Sequence, residues 1–280
     1  MPRPQVASDP PGTVSDLAAT PAAPQKRLDA RRQACPARRI LGMRVDATSY
    51  AETADLVLDL GAARAGGMVC VATTHMVMEA FDSPDFMRLV NAADRVTPDG
   101  VPLVWRLRAL GLRHAARVYG PALMSEICAR AARGGVSVGL YGGTPAVLGQ
   151  LRDLLRQRFP GLEVPFALSP PFRELRAQED AEIGEAIAAS GVGVLFVGLG
   201  CPKQERWMAA HREQLDCAMV GVGAAFDFLT GTKPQAPPWL QAAGLEWLFR
   251  LACEPRRLWR RYLVGNTRFL FHTALQGKPS

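Results

Sequence analysis

The 280-residue chain has no uninterrupted apolar run of the roughly 18 residues that a bilayer-spanning helix needs, although 48% of its residues are hydrophobic. A spanning segment is therefore not expected. Its six cysteines, at 35, 70, 128, 201, 217 and 253, include no C-x-x-C pair, which argues against a zinc centre or a disulfide framework. The four histidines (His75, His114, His211 and His272) lie far apart with no metal-ligand neighbour at helical spacing, and there is no acidic D-x-D pair. Neither a G-x-G-x-x-G turn nor a P-loop is present, so two common nucleotide-binding signatures drop out. The first 25 residues mix Pro, Ala and scattered charge rather than the basic, apolar and small-residue order of a secretory leader, and a cytoplasmic protein is expected.

Charge is what remains, and it is uneven. Residues 1–40 carry seven basic and three acidic groups, residues 233–280 carry eight and two, and the stretch between them is net negative within an overall charge of +7. Basic character confined to the two ends, with no nucleic-acid motif beside it, does not suit a nucleic-acid partner. Residues 1–38, rich in Pro and Ala, read as a disordered leader. Residues 39–236 alternate short apolar runs with helical periodicity, the pattern of an α/β domain whose parallel sheet is covered by helices on both faces. Expected strands fall at 40–45, 68–72, 95–97, 136–141, 162–166, 194–197 and 217–222, with one long helix over 76–92. Residues 237–280 form a helical appendage in which Arg256, Arg257, Arg260 and Arg261 interleave with Leu258, Trp259, Tyr262 and Leu263. That composition suits an element lying on an anionic membrane surface, or a helix capping the core with an arginine face outward.

The chemistry should gather where strands end. Val194 to Val197 is continuously apolar, as in a strand buried on both faces, and stops at Gly198 and Gly200, followed by Pro202, Lys203, Gln204 and Glu205. In open α/β sheets this carboxyl edge is where ligands and phosphates bind. Gly142, Gly143 and Thr144 occupy the equivalent place after the strand at 136–141, and Asp99 sits in Thr-Pro-Asp-Gly after the strand at 95–97. A carboxylate so held can act as a general base, or simply serve the turn. His75 also follows a strand. Gly135-Val-Ser137-Val-Gly139 fits a hydrolase elbow in letters only, since its serine falls at the start of a strand.

Eight ordered motifs extend these segments: His75-Met76-Val77-Met78-Glu79-Ala80, Thr97-Pro98-Asp99-Gly100, Arg117-Val118-Tyr119-Gly120, Leu140-Tyr141-Gly142-Gly143-Thr144, Ser169-Pro170-Pro171-Phe172-Arg173, Val197 to Glu205, Gly221 to Asp227, and Gly244-Leu245-Glu246-Trp247 leading to Glu254-Pro255-Arg256-Arg257. Together they make the chain, from about Ile40 to Phe271, resemble the WecG/TagA/CpsF family of bacterial glycosyltransferases. The resemblance implies a Rossmann-like fold and an inverting transfer of a hexose from a UDP-sugar to a polyprenyl-diphosphate-linked saccharide, without a cofactor or required metal. It implies Asp99 as catalytic base, Gln204 in the active-site pocket, and Arg117 beside it. Thr73, His75, Gly142, Gly143, Thr144, Phe172, Gly198, Gly200, Lys203 and Asp227 would contact substrate. Arg250, Arg256, Arg257, Arg260 and Arg261 would face the donor diphosphate from an appendage at the inner leaflet of the cytoplasmic membrane. One departure is visible: the family usually has asparagine where this chain has Thr73, sometimes with threonine where it has Val71. A homo-oligomer is left open, and the competing classes are a non-catalytic sugar-nucleotide or lipid-carrier binding protein and a nucleotide-dependent oxidoreductase.

Overall fold

A computed structural model describes residues 24–276 of the chain. In order, the elements are α1 (Pro24–Gln33), β1 (Ala37–Ile40), β2 (Met43–Asp46), α2 (Tyr50–Ala62), β3 (Met68–Ala72), α3 (Thr74–Asp82), α4 (Pro84–Asn91), β4 (Arg95–Pro98), α5 (Val101–Ala109) and α6 (Gly120–Gly134). There follow β5 (Val138–Gly142), α7 (Pro145–Arg158), β6 (Phe166–Leu168), α8 (Ala177–Ala189), β7 (Val194–Gly198), α9 (Lys203–His211), β8 (Ala218–Gly221) and α10 (Ala225–Leu229). The appendage comprises α11 (Pro238–Ala242), α12 (Glu246–Cys253), α13 (Pro255–Trp259), a π-helical segment (Arg260–Val264) and α14 (Gly265–Leu275).

Six strands pair in the order β4-β3-β8-β7-β5-β6, all parallel, giving a Rossmann-like sheet. β3, β5 and β8 are buried at every position, and β7 at all but its last, which is why their sequences run apolar without alternation. Two hydrophobic layers sandwich the sheet. One contains apolar residues of α3, α4, α5, α8 and α9, and the other those of α2, α6, α7 and α10. Parallel strands place every strand-to-helix loop at one edge, so the polar residues after β3, β4, β5, β7 and β8 share a rim.

Three local features depart from the sequence reading. Leu41 (φ 50°) and Gly42 (φ 89°) fold the expected strand at 40–45 into an antiparallel hairpin of β1 and β2, a primed turn that alternation alone does not reveal. The expected helix over 76–92 breaks at Ser83, whose hydroxyl accepts the Phe86 amide at 3.3 Å while Pro84 opens α4. The last expected leader residues are structured: α1 packs Leu28 into the core at 1% exposure, with Arg27 on Asp59 at 2.8 Å and Arg32 on Asp94 at 2.7 Å. Residues 1–23 lie outside the described part of the chain.

The appendage is fastened at its far end. Arg268 of α14 pairs with Asp82 of α3 at 2.6 Å, His272 packs on Phe81 with ring centroids 4.6 Å apart, and Gln276 bonds the hairpin at Leu41 N and Arg39 O. Phe269 fills the space beneath at 2% exposure. Removing that ring leaves a cavity, whereas the Arg268 pair is largely solvated. Phe269→Ala should therefore cost about 3 kcal/mol in urea unfolding and Arg268→Ala less than about 1 kcal/mol. Equal losses would mean that α14 is held by charge rather than by packing.

Candidate active site

At the end of β4 the backbone amides of Asp99 and Gly100 both donate to the Ala72 carbonyl, at 2.9 and 3.2 Å, which pins the Pro-Asp-Gly turn to the end of β3. The Asp99 side chain then meets Arg117, which enters just before α6. Arg117 Nε donates to the Asp99 carbonyl at 2.7 Å and to Oδ1 at 3.1 Å, while Nη2 reaches Oδ1 at 2.9 Å. The same Nη2 donates to Glu246 Oε2 of α12 at 2.7 Å. Tyr119 lies under the guanidinium, 4.5 Å from its ring centroid. All three charged side chains are mostly buried, with 16% of Asp99, 23% of Arg117 and 15% of Glu246 exposed. Burial raises the Asp99 carboxyl above the ordinary carboxylate range, Arg117 pulls it back, and the nearby Glu246 charge raises it further. Burial opposes the charge of Arg117, yet its two carboxylate partners outweigh that and hold it firmly protonated. A desolvated carboxylate with raised proton affinity, fixed in direction, is equipped to accept a proton.

A second polar centre sits between β7 and β8. Gln204 is 3% exposed, and its Oε1 accepts the amides of Gly200 at 3.1 Å and Gly223 at 3.0 Å, while Nε2 donates to Glu205 Oε1 at 2.7 Å. The side-chain amide thus clasps the two glycine-bearing loops together. In the strand order β4-β3-β8-β7 it lies two to three intervals from the end of β4, about 10–14 Å at the usual strand spacing. Gln204 and Asp99 share the rim, but the amide is spent on backbone rather than turned toward Asp99.

His75 opens α3 close to Cys201 and Arg261, with Nδ1 3.7 Å from Glu79. Burial, aided by the Arg261 charge, lowers its pKa to about 4, so the ring is neutral near pH 7. Arg261 is itself lowered by burial with Arg250 and Arg257 as neighbouring like charges, and its Nε has no hydrogen-bond partner. Arg261 thus lies near the start of α3 and the loop after β7, while Glu246 reaches Arg117 at the turn after β4.

A sequence model of the glycosyl transferase WecG/TagA/CpsF family matches residues 38–280, from β1 through the appendage. The chain belongs to this family. Among its relatives, an N-acetylglucosaminyldiphosphoundecaprenol N-acetyl-beta-D-mannosaminyltransferase of Bacillus spizizenii is 29% identical over 218 residues, covering 76% of this chain and 82% of that protein. As a member of the WecG/TagA/CpsF family the protein is a glycosyltransferase.

Within this family member the remaining residues singled out by sequence are differently placed. Thr73 precedes α3 beside Gly100, and its hydroxyl does not cap the helix. Gly142 (φ 122°) packs against Gly198, where a Cβ would stand 2.6 Å from the carbonyl, so both glycines serve strand contact as much as ligand approach. Thr144 spends its hydroxyl capping α7 through the Val147 amide at 3.3 Å. Asp227 is paired with Lys233 at 2.7 Å, and Lys203 is exposed at the start of α9. Phe172, 93% exposed, follows β6 at the sheet edge opposite β4, and is not brought to Asp99. Arg250 stacks over Phe228 at 5.1 Å, whereas Arg256, Arg257 and Arg260 are exposed. Two residues were not singled out by sequence: Glu246 and Glu205. A carboxylate between Leu245 and Trp247, in an otherwise apolar stripe, was the available signal for the first.

Glu205 is fully buried, with Oε2 unpartnered, and burial holds its carboxyl above the ordinary 4.5. An acid whose folded value is raised binds its proton more tightly when folded. Its contribution is therefore complete below 4.5 and is lost as pH rises through the folded value. Glu205→Gln should remove that loss, so urea midpoints of the variant should gain on the wild type between about pH 4.5 and pH 7. A gap that does not change with pH would show that Glu205 ionises as readily folded as unfolded.

Proposed function

We propose that the protein is an inverting, metal-independent transferase that moves a hexose, of the N-acetylmannosamine type or a glucose or uronic acid, from a UDP-sugar to a polyprenyl-diphosphate-linked saccharide. The observation that carries this reading is Asp99: a buried, arginine-oriented carboxylate of raised proton affinity at the carboxyl end of β4. The name of the Bacillus spizizenii relative, which specifies a diphosphoundecaprenol-linked acceptor and a mannosaminyl group, supports the substrate class.

In this reading Asp99 removes the proton from an acceptor hydroxyl as that oxygen attacks the anomeric carbon. The bond to UDP breaks on the opposite face, and UDP leaves with the electron pair, inverting the centre. Two phosphates then carry the developing charge. Arg261, crowded by Arg250 and Arg257, is suited to meet it, because an anion relieves the repulsion among three guanidinium groups. Asp99→Asn should lower kcat by about 100-fold or more while leaving the donor KM nearly unchanged, measured as UDP release with a prenyl-diphosphate acceptor. Turnover within a few-fold of wild type would remove the base assignment.

A lipid-linked acceptor requires the enzyme to reach the membrane, and we place it peripherally on the cytoplasmic face. No helix among the described residues is long and apolar enough to cross a bilayer. The appendage instead exposes Trp239 at 67%, Leu248 at 47%, Trp259 at 45% and Leu263 at 51%, beside Arg256, Arg257 and Arg260. Aromatic and leucine side chains among arginines suit the headgroup region of anionic lipid. Each basic side chain near such a surface contributes about 1 kcal/mol. Changing Arg256, Arg257 and Arg260 together to Ala should weaken sedimentation with phosphatidylglycerol vesicles by roughly 100-fold. Unchanged sedimentation would make the appendage a cap on the core and nothing more.

A further inference from the structure

The carboxylate of Glu246 is the one acidic group that the appendage contributes to the neighbourhood of Asp99. It reaches Arg117 at 2.7 Å, closer than the 2.9 Å between the same Nη2 and Asp99 Oδ1. One nitrogen therefore serves two carboxylates that belong to different parts of the chain, one at the end of β4 and one on α12. We propose that Glu246 is a positioning residue for the transfer reaction, holding Arg117 from the appendage side so that seating of α12 sets how strongly Arg117 binds Asp99. The inference rests on the transferase reading and deepens it.

The consequence is electrostatic. With α12 seated, Arg117 is divided between two anions, and Asp99 keeps more of its affinity for a proton than it would as the sole partner. With α12 displaced, or with the charge of Glu246 removed, Arg117 collapses onto Asp99 alone. The carboxylate is then a weaker base and is more tightly held by its own counter-ion. The ionisable groups facing Asp99 are Arg117, Glu246 and Tyr50, with Tyr119 and Arg250 just beyond them. Tyr50 and Tyr119 are both raised by burial and stay neutral, so Glu246 is the acidic partner whose removal changes the balance. The arrangement ties base strength to closure of the tail over the rim. A base of full strength would then exist only when the arginines of the appendage are also in place.

Glu246→Gln tests this in the full-length protein, because the amide keeps the shape and one acceptor while losing the charge. Two readouts are needed. The first is the carboxyl carbon of Asp99, followed by NMR titration in protein labelled at aspartate, which requires no substrate. Its midpoint should fall by about one pH unit in the variant. The second is the pH profile of UDP release. Its acidic limb should move in the same direction, with kcat reduced roughly tenfold and donor KM within about twofold of wild type. A merely structural Glu246 would lower kcat and raise KM together without moving either pH midpoint, and that outcome overturns the proposal. Should wild type release no UDP from any UDP-sugar, the transferase reading fails on its own, while the Asp99 titration still decides whether Glu246 governs that carboxyl.

Discussion

Arg117 is the joint of this molecule. A guanidinium that is three-quarters buried needs negative partners close by, and it draws them from two sources, the turn after β4 and helix α12 of the appendage. Removing either partner leaves a buried charge undercompensated, so the appendage is not free to sit elsewhere without cost. The far end of the same appendage is fixed by packing of Phe269 and by the bonds of Gln276 to the β1–β2 hairpin. The tail is thus held at both ends by different physics, charge at the rim and apolar burial beneath α14. The stretch between them, α13 and the π-helical segment, carries the arginines and the exposed Trp259 and Leu263.

Behind the rim lies the constraint that a parallel sheet imposes. With both faces covered, its strands must be apolar throughout, and polar chemistry is displaced to the loops at the carboxyl edge. The glycines there also join strands. Gly142 against Gly198 brings β5 and β7 together at their ends, and Gln204 ties the loops after β7 and β8 by accepting two amides that would otherwise lack a partner. Gln204 therefore shapes the site by fixing the loops that border it.

Much of this was legible in the sequence. The continuous apolar run from Val194 to Val197, its ending at Gly198 and Gly200, and the alternation of strand and helix specify a parallel sheet and the edge where chemistry gathers. The same pattern places Asp99, in its proline-directed turn, at that edge, but its role as base comes only from the family resemblance and belongs to the proposed function. What escaped reading depends on contacts between distant residues. Glu246 lies 129 positions from Arg117, and the apolar stripe around it signals an unusual carboxylate but not which residue it meets. Phe172 stood in a strand-end loop like the others, but strand order puts β6 at the far edge of the sheet, and periodicity is blind to order, while Thr144 spends its hydroxyl capping α7. The hairpin turn at Leu41 and Gly42 was missed because the residues on either side alternate as one strand would. The α1 segment was missed because its docking comes mainly from ion pairs to Asp59 and Asp94, which composition counts as solvated charge.

The departure at Thr73 falls at the rim, where β3 gives way to α3. Thr73 stands beside Gly100, directly behind Asp99, and its hydroxyl caps neither α3 nor a neighbouring loop. An asparagine there would carry a longer side chain with a second donor into the same corner of the rim. The shorter threonine leaves that corner wider and less polar, next to the carboxylate rather than next to the arginine cluster. In the proposed reaction, any difference it makes in selectivity would fall on the sugar and the attacking hydroxyl near Asp99 rather than on the diphosphate, which the appendage arginines would meet. On the proposed reading, recognition of a nucleotide-sugar is divided between the sheet rim and the tail, and the Arg117 bridge between Asp99 and Glu246 is where the two halves are joined.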